Sequence, residues 1–398
     1  IQFLERPVLS NTPIEFPPKN HILSLAIQEQ VQMLLEKNVI EVVHDHTSPG
    51  YYSRFFVVEK KEKGKWRSIL DLSQLNLLIP KEKFKMESTE TIRSQLAKGL
   101  WVTSIDLSDA YYHIPVHVNF RKYMRFAVDN QVYQYKAMVM GLTTSPRLFT
   151  KVIKCIKAMV QHFNIHLFQY LDDWLVVGPS QVEVAHHTKI VVCLARKLGF
   201  IVNMEKSEIR PTQEIVFLGY HYLLDQGTVK PCLARWEKIN RLLPMMLVAD
   251  YITAGQWQSI VGLLCSVEKL VPMGMLHVRP LQLGLREQWS QFRGCQTDLI
   301  WISAEVKETV KWWLQESNVM TGVPITQPWQ CQEQIQIFSD SSLQGWGGTV
   351  DGVPWKGTWS VEESALHINV LELMAVWKLI TAFEDYITGR QMMITTDN

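Results

Sequence analysis

The most constraining feature of the sequence is a pair of adjacent carboxylates, Asp172 and Asp173, between two apolar runs in the segment 166–177. The apolar runs predict two buried strands joined by a tight turn. A buried turn avoids charge, because an unpaired carboxylate is costly to remove from water. The pair therefore predicts either a solvated turn or a site that binds a cation.

A third carboxylate, Asp106, ends an apolar strand that begins at Trp101. Three such acids can hold two Mg²⁺ ions about 3.5–4 Å apart, which activate a 3′-hydroxyl and stabilise a leaving pyrophosphate in phosphoryl transfer. Asp106, Asp172 and Asp173 are therefore candidate metal-binding residues. Asp109, in the same segment, is equally compatible with a turn carboxylate.

The joint pattern of SIDLSDAYYHIPV and YLDD resembles the reverse transcriptases. That resemblance implies a right-hand polymerase of fingers, palm and thumb in which Asp106, Asp172 and Asp173 are catalytic, with Asp106 and the pair Asp172-Asp173 on neighbouring palm strands. It also implies that Tyr111 is the aromatic residue that excludes a ribose 2′-hydroxyl. A core aromatic is the alternative, because the neighbouring Tyr112 could equally face inward.

Two further segments match the same family in order and spacing. GKWRSILDLSQLN resembles the fingers motif that grips the nucleotide triphosphate, which implies Arg67 and, by position, Lys60. A solvated hairpin is the alternative for the basic run EKKEKGKWR. MGLTTSPRLFTKVI resembles the loop and helix under the templating base pair. Gly141 would allow close backbone approach there, and Met140 stands where the family usually carries Gln or Phe.

The segments GFIVNMEKSEI and FLGYHY complete the polymerase match. The first resembles the segment whose lysine protonates the leaving pyrophosphate, which implies Lys206; an exposed lysine is the alternative. The second resembles the strand that grips the primer end, which implies Phe217, Leu218 and Gly219; simple core packing is the alternative.

A second set of acids follows in the order strand, helix, strand: Asp340 in IFSDSSLQGWGG, Glu372 in HINVLELMAV and Asp397 in ITTDN. The pattern resembles the RNase H family, which implies that these acids gather around two Mg²⁺ ions to cleave RNA in a hybrid. That family has a fourth carboxylate and further elements. We therefore expect an incomplete, inactive RNase H domain in this sequence.

The order of elements predicts an α+β fold: a right-hand polymerase followed by an incomplete α/β RNase H-like domain. The expected division is an extended proline-rich lead-in (1–20), fingers and palm (21–225), a helical thumb and connection (226–333) and the RNase H-like part (334–398). Among the predicted strands are 208–210 and 215–223, and the segments 123–128 and 131–136 are predicted to form a hairpin around Asp129 and Asn130. The tryptophans of the helical part are predicted to be packing residues, with aromatic platforms for bases as the alternative: Trp236, Trp257, Trp289, Trp301, Trp312 and Trp313.

Composition excludes several classes of protein. No apolar run is long enough to span a membrane and no signal pattern begins the chain, so neither membrane insertion nor secretion is expected. The six cysteines lack zinc-ligand spacing and indicate reduced, intracellular packing residues, without distinguishing cytoplasm from nucleus. A net charge of +1 gives no global indication of nucleic-acid binding.

The sequence therefore predicts an RNA-directed DNA polymerase that uses Mg²⁺ and binds an RNA template, a DNA primer, an RNA/DNA hybrid and dNTPs. YLDDWLV, HINVLEL and VPMGMLHVRPLQ most resemble DIRS-like retrotransposons, with gypsy-like elements second. The alternatives are a decayed or domesticated copy that binds nucleic acid or another partner, and an RNA-dependent RNA polymerase. An RNase H module and Tyr111 disfavour the latter. The sequence does not indicate an oligomeric state.

Overall fold

The computed structural model describes residues 1–18, 20–45, 48–60, 64–290, 294–325, 334–390 and 392–396. The chain divides into two compact units, Ile1–Ile325 and Thr326–Asn398. Helices and mainly antiparallel sheets are mixed in both, which confirms the predicted α+β class.

The first part of the larger unit alternates strands and helices. Its strands are β1 Ile40–Val42, β2 Phe55–Glu59, β3 Trp66–Leu70, β4 Trp101–Leu107, β5 Arg125–Val128, β6 Gln131–Tyr135, β7 His166–Tyr170, β8 Asp173–Gly178 and β9 Val202–Asn203. Its helices are α1 His21–Glu36, α2 Ser73–Leu77, α3 Thr89–Arg93, α4 Val118–Arg121, α5 Ser145–Gln161 and α6 Gln181–Lys197, with a 3₁₀ turn at Ala110–His113.

The remainder of this unit is mainly helical. Its helices are α7 Leu233–Leu242, α8 Pro244–Val248, α9 Ala254–Cys265, α10 Gly274–Gln288, α11 Ala304–Trp313 and α12 Glu316–Val319, with a 3₁₀ turn at Glu268–Leu270. Its strands are β10 Glu214–Phe217, β11 Tyr220–Leu223, β12 Thr228–Pro231, β13 Tyr251–Thr253, β14 Leu299–Trp301 and β15 Val323–Pro324.

The central sheet has the order β7-β8-β4-β9 and is buried on both faces. Successive β8 side chains enter different cores: Trp174 packs with residues of α5 and α6, and Leu175 packs with residues of β10, β11 and β12. This alternation explains why WLVV is apolar at every position rather than at every second one. The acid-bearing turn lies at one end of this doubly covered sheet.

The N-terminal strands form a separate sheet, β1-β6-β5, and a hairpin, β2-β3. Helix α1 contributes to their core through residues such as Leu34. The β5-β6 turn has Asp129 and Asn130 at φ 52° and 62°, the left-handed pair that a type I′ turn requires. This confirms the hairpin predicted around these two residues.

The helical part encloses a core that contains Trp236, Trp257 and Trp313. These three confirm the packing role predicted for the tryptophans, whereas Trp301 is half exposed. No helix within the described ranges combines the length and the apolarity needed to cross a membrane.

Two predicted strands and a predicted role differ from the structure. Residues 208–210 are not a strand, because the preceding turn and Pro211, which lacks an N–H, prevent a ladder. The Ser104 N–H donates to the Glu208 carbonyl at 2.9 Å, but the Glu208 N–H donates to the Ser104 side-chain hydroxyl at 3.4 Å rather than to its backbone. Residues 215–223 form two strands separated by a turn rather than one strand. The packing role predicted for the cysteines is wrong for the exposed Cys155, Cys193 and Cys295.

The smaller unit contains strands β16 Ile335–Ser341, β17 Gly345–Val350, β18 Val353–Thr358 and β19 Met392–Thr395, and helices α13 Val361–Ser364, α14 Ile368–Ala382 and α15 Glu384–Ile387. The sheet order is β18-β17-β16-β19, and β16 and β19 run parallel. Helix α14 packs Leu379 against Ile337 and Val350 of the sheet.

Candidate active site

Strand register places the first predicted acid beside the pair. Asp106 near the end of β4 is the cross-strand partner of Asp173 at the start of β8. Directly opposed residues of antiparallel strands have Cα atoms only about 4.5–5.5 Å apart. Two residues far apart in the sequence thus meet at one end of the central sheet.

Asp172 belongs to the two-residue turn between β7 and β8, where Tyr170 pairs with Asp173. The backbone N–H of Leu107 donates to the Asp172 carbonyl at 3.0 Å, so β4 fixes the turn as well as carrying Asp106. All three candidate carboxylates are half-buried.

Burial and mutual repulsion perturb these carboxyls. Burial, followed by the negative charges of Asp172 and Asp106, raises the pKa of Asp173 to about 6. Burial also raises the pKa of Asp106, and Asp172 contributes in the same direction. The positive charge of Lys206 opposes the rise in the pKa of both groups. The cluster therefore disfavours three simultaneous negative charges.

The carboxylate set suits a hard divalent cation, which prefers oxygen ligands and would relieve the repulsion that raises these pKa values. Among the described residues, no three His, Cys, Asp or Glu side chains lie close enough together to form a ready-made metal site. The chemistry of the donors fits Mg²⁺, and the side chains are not drawn together around a single point.

The loop after β9 supports Asp106 from the other side. Asn203 pairs with Asp106 across β9 and β4 and hydrogen-bonds to its carboxylate, which lowers the pKa of Asp106. The Ser207 hydroxyl accepts a hydrogen bond from the Asp106 N–H at 3.0 Å. The Lys206 N–H donates to the Asn203 amide oxygen at 3.3 Å, and the Lys206 side chain is exposed. Asn203 was not predicted, since its role depends on strand pairing.

The structure distinguishes the two adjacent tyrosines. Tyr111 packs its ring edge on Phe149 at 5.3 Å, and burial, then Asp172 and Tyr170, raise its pKa to about 12. Tyr112 instead packs into the N-terminal core and hydrogen-bonds to Ser68. Tyr111 is thus the tyrosine beside the acids, as the motif predicts. Asp109 forms an ion pair with Lys37 at 2.6 Å, so it is a paired turn carboxylate.

The basic hairpin carries both predicted phosphate ligands on exposed positions. Arg67 lies in β3 opposite Val58, and Lys60 follows β2, where its N–H donates to the Lys65 carbonyl at 2.7 Å. Burial raises the pKa of the Tyr112 phenol, and the nearby Arg67 guanidinium partly offsets that rise. The tip, residues 61–63, lies outside the described residues.

The loop before α5 is held by a residue that the motif comparison did not single out. The Asn76 side chain donates to the Gly141 carbonyl at 2.7 Å and accepts from the Thr143 N–H at 2.8 Å. Gly141 has φ 91°, which a residue with a Cβ rarely adopts, and Met140 beside it is half exposed. The side-chain amide of Asn76 therefore fixes the loop to α2. The only sequence signal for this role was the position of Asn76 at the end of the motif LSQLN.

The predicted primer-binding segment is a hairpin turn. Phe217 ends β10, Leu218 and Gly219 form the turn with φ 50° and 83°, and Tyr220 begins β11. Phe217 is buried and Leu218 packs against the same core. A Cβ on Gly219 would lie 3.1 Å from the Arg235 side chain, so the turn and α7 are closely packed.

In the smaller unit, Asp340 is exposed on β16 and Glu372 is half-buried on α14. One carboxylate oxygen of Glu372 and the hydroxyls of Ser339 and Ser341 are buried without a hydrogen-bond partner. No hydrogen bond or ion pair joins Asp340 to Glu372 in the described part of this unit. Asp397 lies outside the described residues.

The central part of the chain matches a known protein-family model. Residues 58–222 match the protein-family model described as "Reverse transcriptase (RNA-dependent DNA polymerase)". The "Putative enzymatic polyprotein" of Cassava vein mosaic virus is 23% identical over 384 residues, 92% of this chain and 56% of that protein. "Protein P" of duck hepatitis B virus is 25% identical over 245 residues, 59% of this chain and 29% of that protein.

The chain is also 23% identical to the "Genome polyprotein" of Petunia vein clearing virus, of which it covers 18%. It therefore spans between about a fifth and just over half of these relatives. The foamy viral protease-reverse transcriptase in complex with RNA/DNA hybrid has a TM-score of 0.67 at 17% identity, over 100% of this chain and 51% of that one. The complex of that viral enzyme with double-stranded DNA has a TM-score of 0.69, over 98% of this chain and 78% of that one. These matches confirm the predicted fold.

Proposed function

We propose that this chain, whose residues 58–222 match the reverse transcriptase family model, extends a primer 3′ end with dNTPs by copying an RNA or DNA template. The observation that carries the proposal is the opposition of Asp106 and Asp173 across β4 and β8, with Asp172 in the adjoining turn. The pKa values of Asp106 and Asp173 are raised, as expected for acids gathered for a cation rather than dispersed to solvent.

Asp106, Asp172 and Asp173 would hold two Mg²⁺ ions, which supply charge neutralisation for the attacking and leaving oxygens of phosphoryl transfer. Asn203 orients the Asp106 carboxylate through its hydrogen bond. Lys206, whose charge reaches Asp106 and Asp173, is the proposed proton donor to the leaving pyrophosphate.

The incoming nucleotide would bind between the basic hairpin and the acids. Arg67 and Lys60 would contact its phosphates, because a guanidinium fork matches phosphate oxygens and neither side chain is buried. The ring of Tyr111 would face the sugar and exclude a 2′-hydroxyl. Met140 and Gly141, on the loop that Asn76 clamps, would lie under the base pair.

The primer end would rest on the hairpin turn of Phe217, Leu218 and Gly219. Gly219 has no side chain and lies at φ 83°, so a nucleic-acid strand could approach the backbone of this turn closely. The foamy viral relative is in complex with RNA/DNA hybrid and with double-stranded DNA in its solved structures. We propose the same classes of partner for this chain.

We also propose that the smaller unit is an RNase H-like domain in which Asp340, Glu372 and Asp397 would supply only part of the ligand set for two Mg²⁺ ions. Three buried polar atoms have no hydrogen-bond partner: the hydroxyls of Ser339 and Ser341 on β16 and one carboxylate oxygen of Glu372 on α14. Such atoms support a polar site formed by these two elements. The source we propose is a retrotransposon polyprotein, DIRS-like on the motifs YLDDWLV and HINVLEL and gypsy-like as second choice. A tyrosine recombinase frame in the same element would support the first choice, and a retroviral-type integrase frame would refute it.

Primer extension by the purified chain tests the polymerase proposal. We expect Mg²⁺-dependent extension of a DNA primer on RNA with dNTPs, abolished by Asp172→Asn without loss of folding. The matched control is Asp225→Asn, an exposed turn acid that should leave extension unchanged. Nucleic-acid binding without extension would favour the domesticated alternative, and a preference for ribonucleotides would favour an RNA polymerase.

A further inference from the structure

The turn that carries Asp172 has an unusual backbone at its first central residue. Leu171 lies at φ 54°, in the left-handed region, and Asp172 is not among the residues with positive φ. A two-residue turn of this kind favours glycine at its first central position. A residue with a Cβ there disfavours the conformation by about tenfold. Something in the surrounding structure therefore holds the turn.

Both central carbonyls of this turn are fixed by hydrogen bonds. The Leu107 backbone N–H donates to the Asp172 carbonyl at 3.0 Å. The Leu171 carbonyl accepts from the indole N–H of Trp174 at 2.9 Å. The first bond belongs to the backbone and persists through substitution, whereas the second depends on one side chain.

Trp174 is fully buried, so its N–H cannot exchange this acceptor for water. Its ring lies 6.5 Å from Phe200, which lies 6.3 Å from Phe149, which in turn contacts Tyr111. Aromatic contacts therefore hold the indole next to the turn, and they continue to Tyr111, the proposed sugar gate. Another apolar residue would fill this space, but it could not donate to Leu171.

We propose that Trp174 is a positioning residue for the polymerase reaction: its indole N–H holds Leu171 in the left-handed conformation and thereby sets the position of Asp172. The inference rests on the proposed function, since it concerns how the acids of that site are held. Trp174 itself contacts no reacting group.

The variant Trp174→Phe removes the donor and keeps an aromatic core residue. Its kcat for single-nucleotide extension should fall about tenfold or more, while the dNTP KM and the primer-template Kd change by less than about twofold, because misplacing a catalytic group affects chemistry more than binding. The matched control is Trp313→Phe. It removes an equivalent hydrogen bond elsewhere in the chain, which a fully buried indole N–H donates to the His277 carbonyl at 2.9 Å. Both variants should lose similar stability to urea, and only Trp174→Phe should lose kcat.

Glycine at position 171 provides a rescue, since it adopts positive φ without a Cβ penalty. In a Leu171→Gly background, Trp174→Phe should cost clearly less kcat than in the natural chain. Should Trp174→Phe fail to fold, benzothienylalanine at position 174 keeps the shape of the indole and removes only its N–H.

Hydrogen exchange of the segment 167–178 tests the same inference without activity. Trp174→Phe should exchange its turn amides about tenfold faster than the natural chain, as expected for loss of one buried hydrogen bond, and Trp313→Phe should not. Absence of extension by the natural chain would refute the proposed function, whereas this comparison still decides whether Trp174 holds the turn. Equal exchange in the two variants, or an unchanged kcat in Trp174→Phe, overturns the inference.

Discussion

Replacing Asp173 by Asn should stabilise the metal-free chain at neutral pH although it removes a proposed metal ligand. The native pKa of Asp173, about 6, lies above its ordinary value of 3.8 because of burial and the charges of Asp172 and Asp106. The folded protein therefore binds this proton more tightly than the unfolded chain. Ionised Asp173 opposes folding: the cost is absent below pH 3.8, grows as pH rises towards 6 and is complete above 6.

The size of the effect follows from the two pKa values. A tenfold change in proton affinity corresponds to ~1.4 kcal/mol, so a pKa of about 6 in place of 3.8 sets an upper limit of about 3 kcal/mol. The carboxyl is only half-buried, and solvent screening reduces this to about 1–2 kcal/mol. Asn removes the charge and keeps the volume, so the variant should gain about that much above pH 6.

Urea unfolding in EDTA at pH 4.5 and pH 7.5 measures the difference. The free energy of unfolding of the Asp173→Asn variant should exceed that of the natural chain by about 1–2 kcal/mol at pH 7.5 and by much less at pH 4.5. Added Mg²⁺ should raise the stability of the natural chain more than that of the variant. Asp225→Asn, at an exposed turn, is the control. A variant that is no more stable than the natural chain at pH 7.5, or equally stabilised at both pH values, would refute the reasoning.

Three further predictions concern the surroundings of the acids. Tyr111→Ala should raise ribonucleotide incorporation relative to deoxynucleotide by about tenfold or more in competition assays, and unchanged selectivity with lower stability would instead make Tyr111 a core residue. Arg67→Lys should lower kcat/KM for dNTPs by about tenfold or more with little change in primer-template Kd, since a point charge cannot replace a guanidinium fork; the reverse pattern would make the hairpin a backbone-binding patch. Gly219→Ala should destabilise the chain by about 1–2 kcal/mol in urea, because a Cβ there meets Arg235 and φ is 83°; an unchanged midpoint would contradict this account of the turn.

Local pattern was sufficient for the elements and for the order of the motifs. The apolar runs around Asp172 predict the β7-β8 hairpin, and Asp129 with Asn130 predicts the turn of β5 and β6; both are confirmed. These features depend on residues close together in the chain, where side-chain alternation and turn preference act directly. Local pattern failed at residues 208–210, where the segment Glu-Ile-Arg before Pro211 forms no strand.

Tertiary structure alone decided which side chains meet. The resemblance implies Tyr111 but leaves open which of Tyr111 and Tyr112 faces inward; contacts with Phe149 for Tyr111 and with Ser68 for Tyr112 distinguish them. The amide of Asn76 on the Gly141 loop and the indole of Trp174 beneath the acid-bearing turn depend likewise on folded geometry. Motifs determine which groups are present, because chemistry needs particular side chains. Their distances, burial and pKa values arise only when strands remote in sequence pair and exclude water, as Asp106 and Asp173 do.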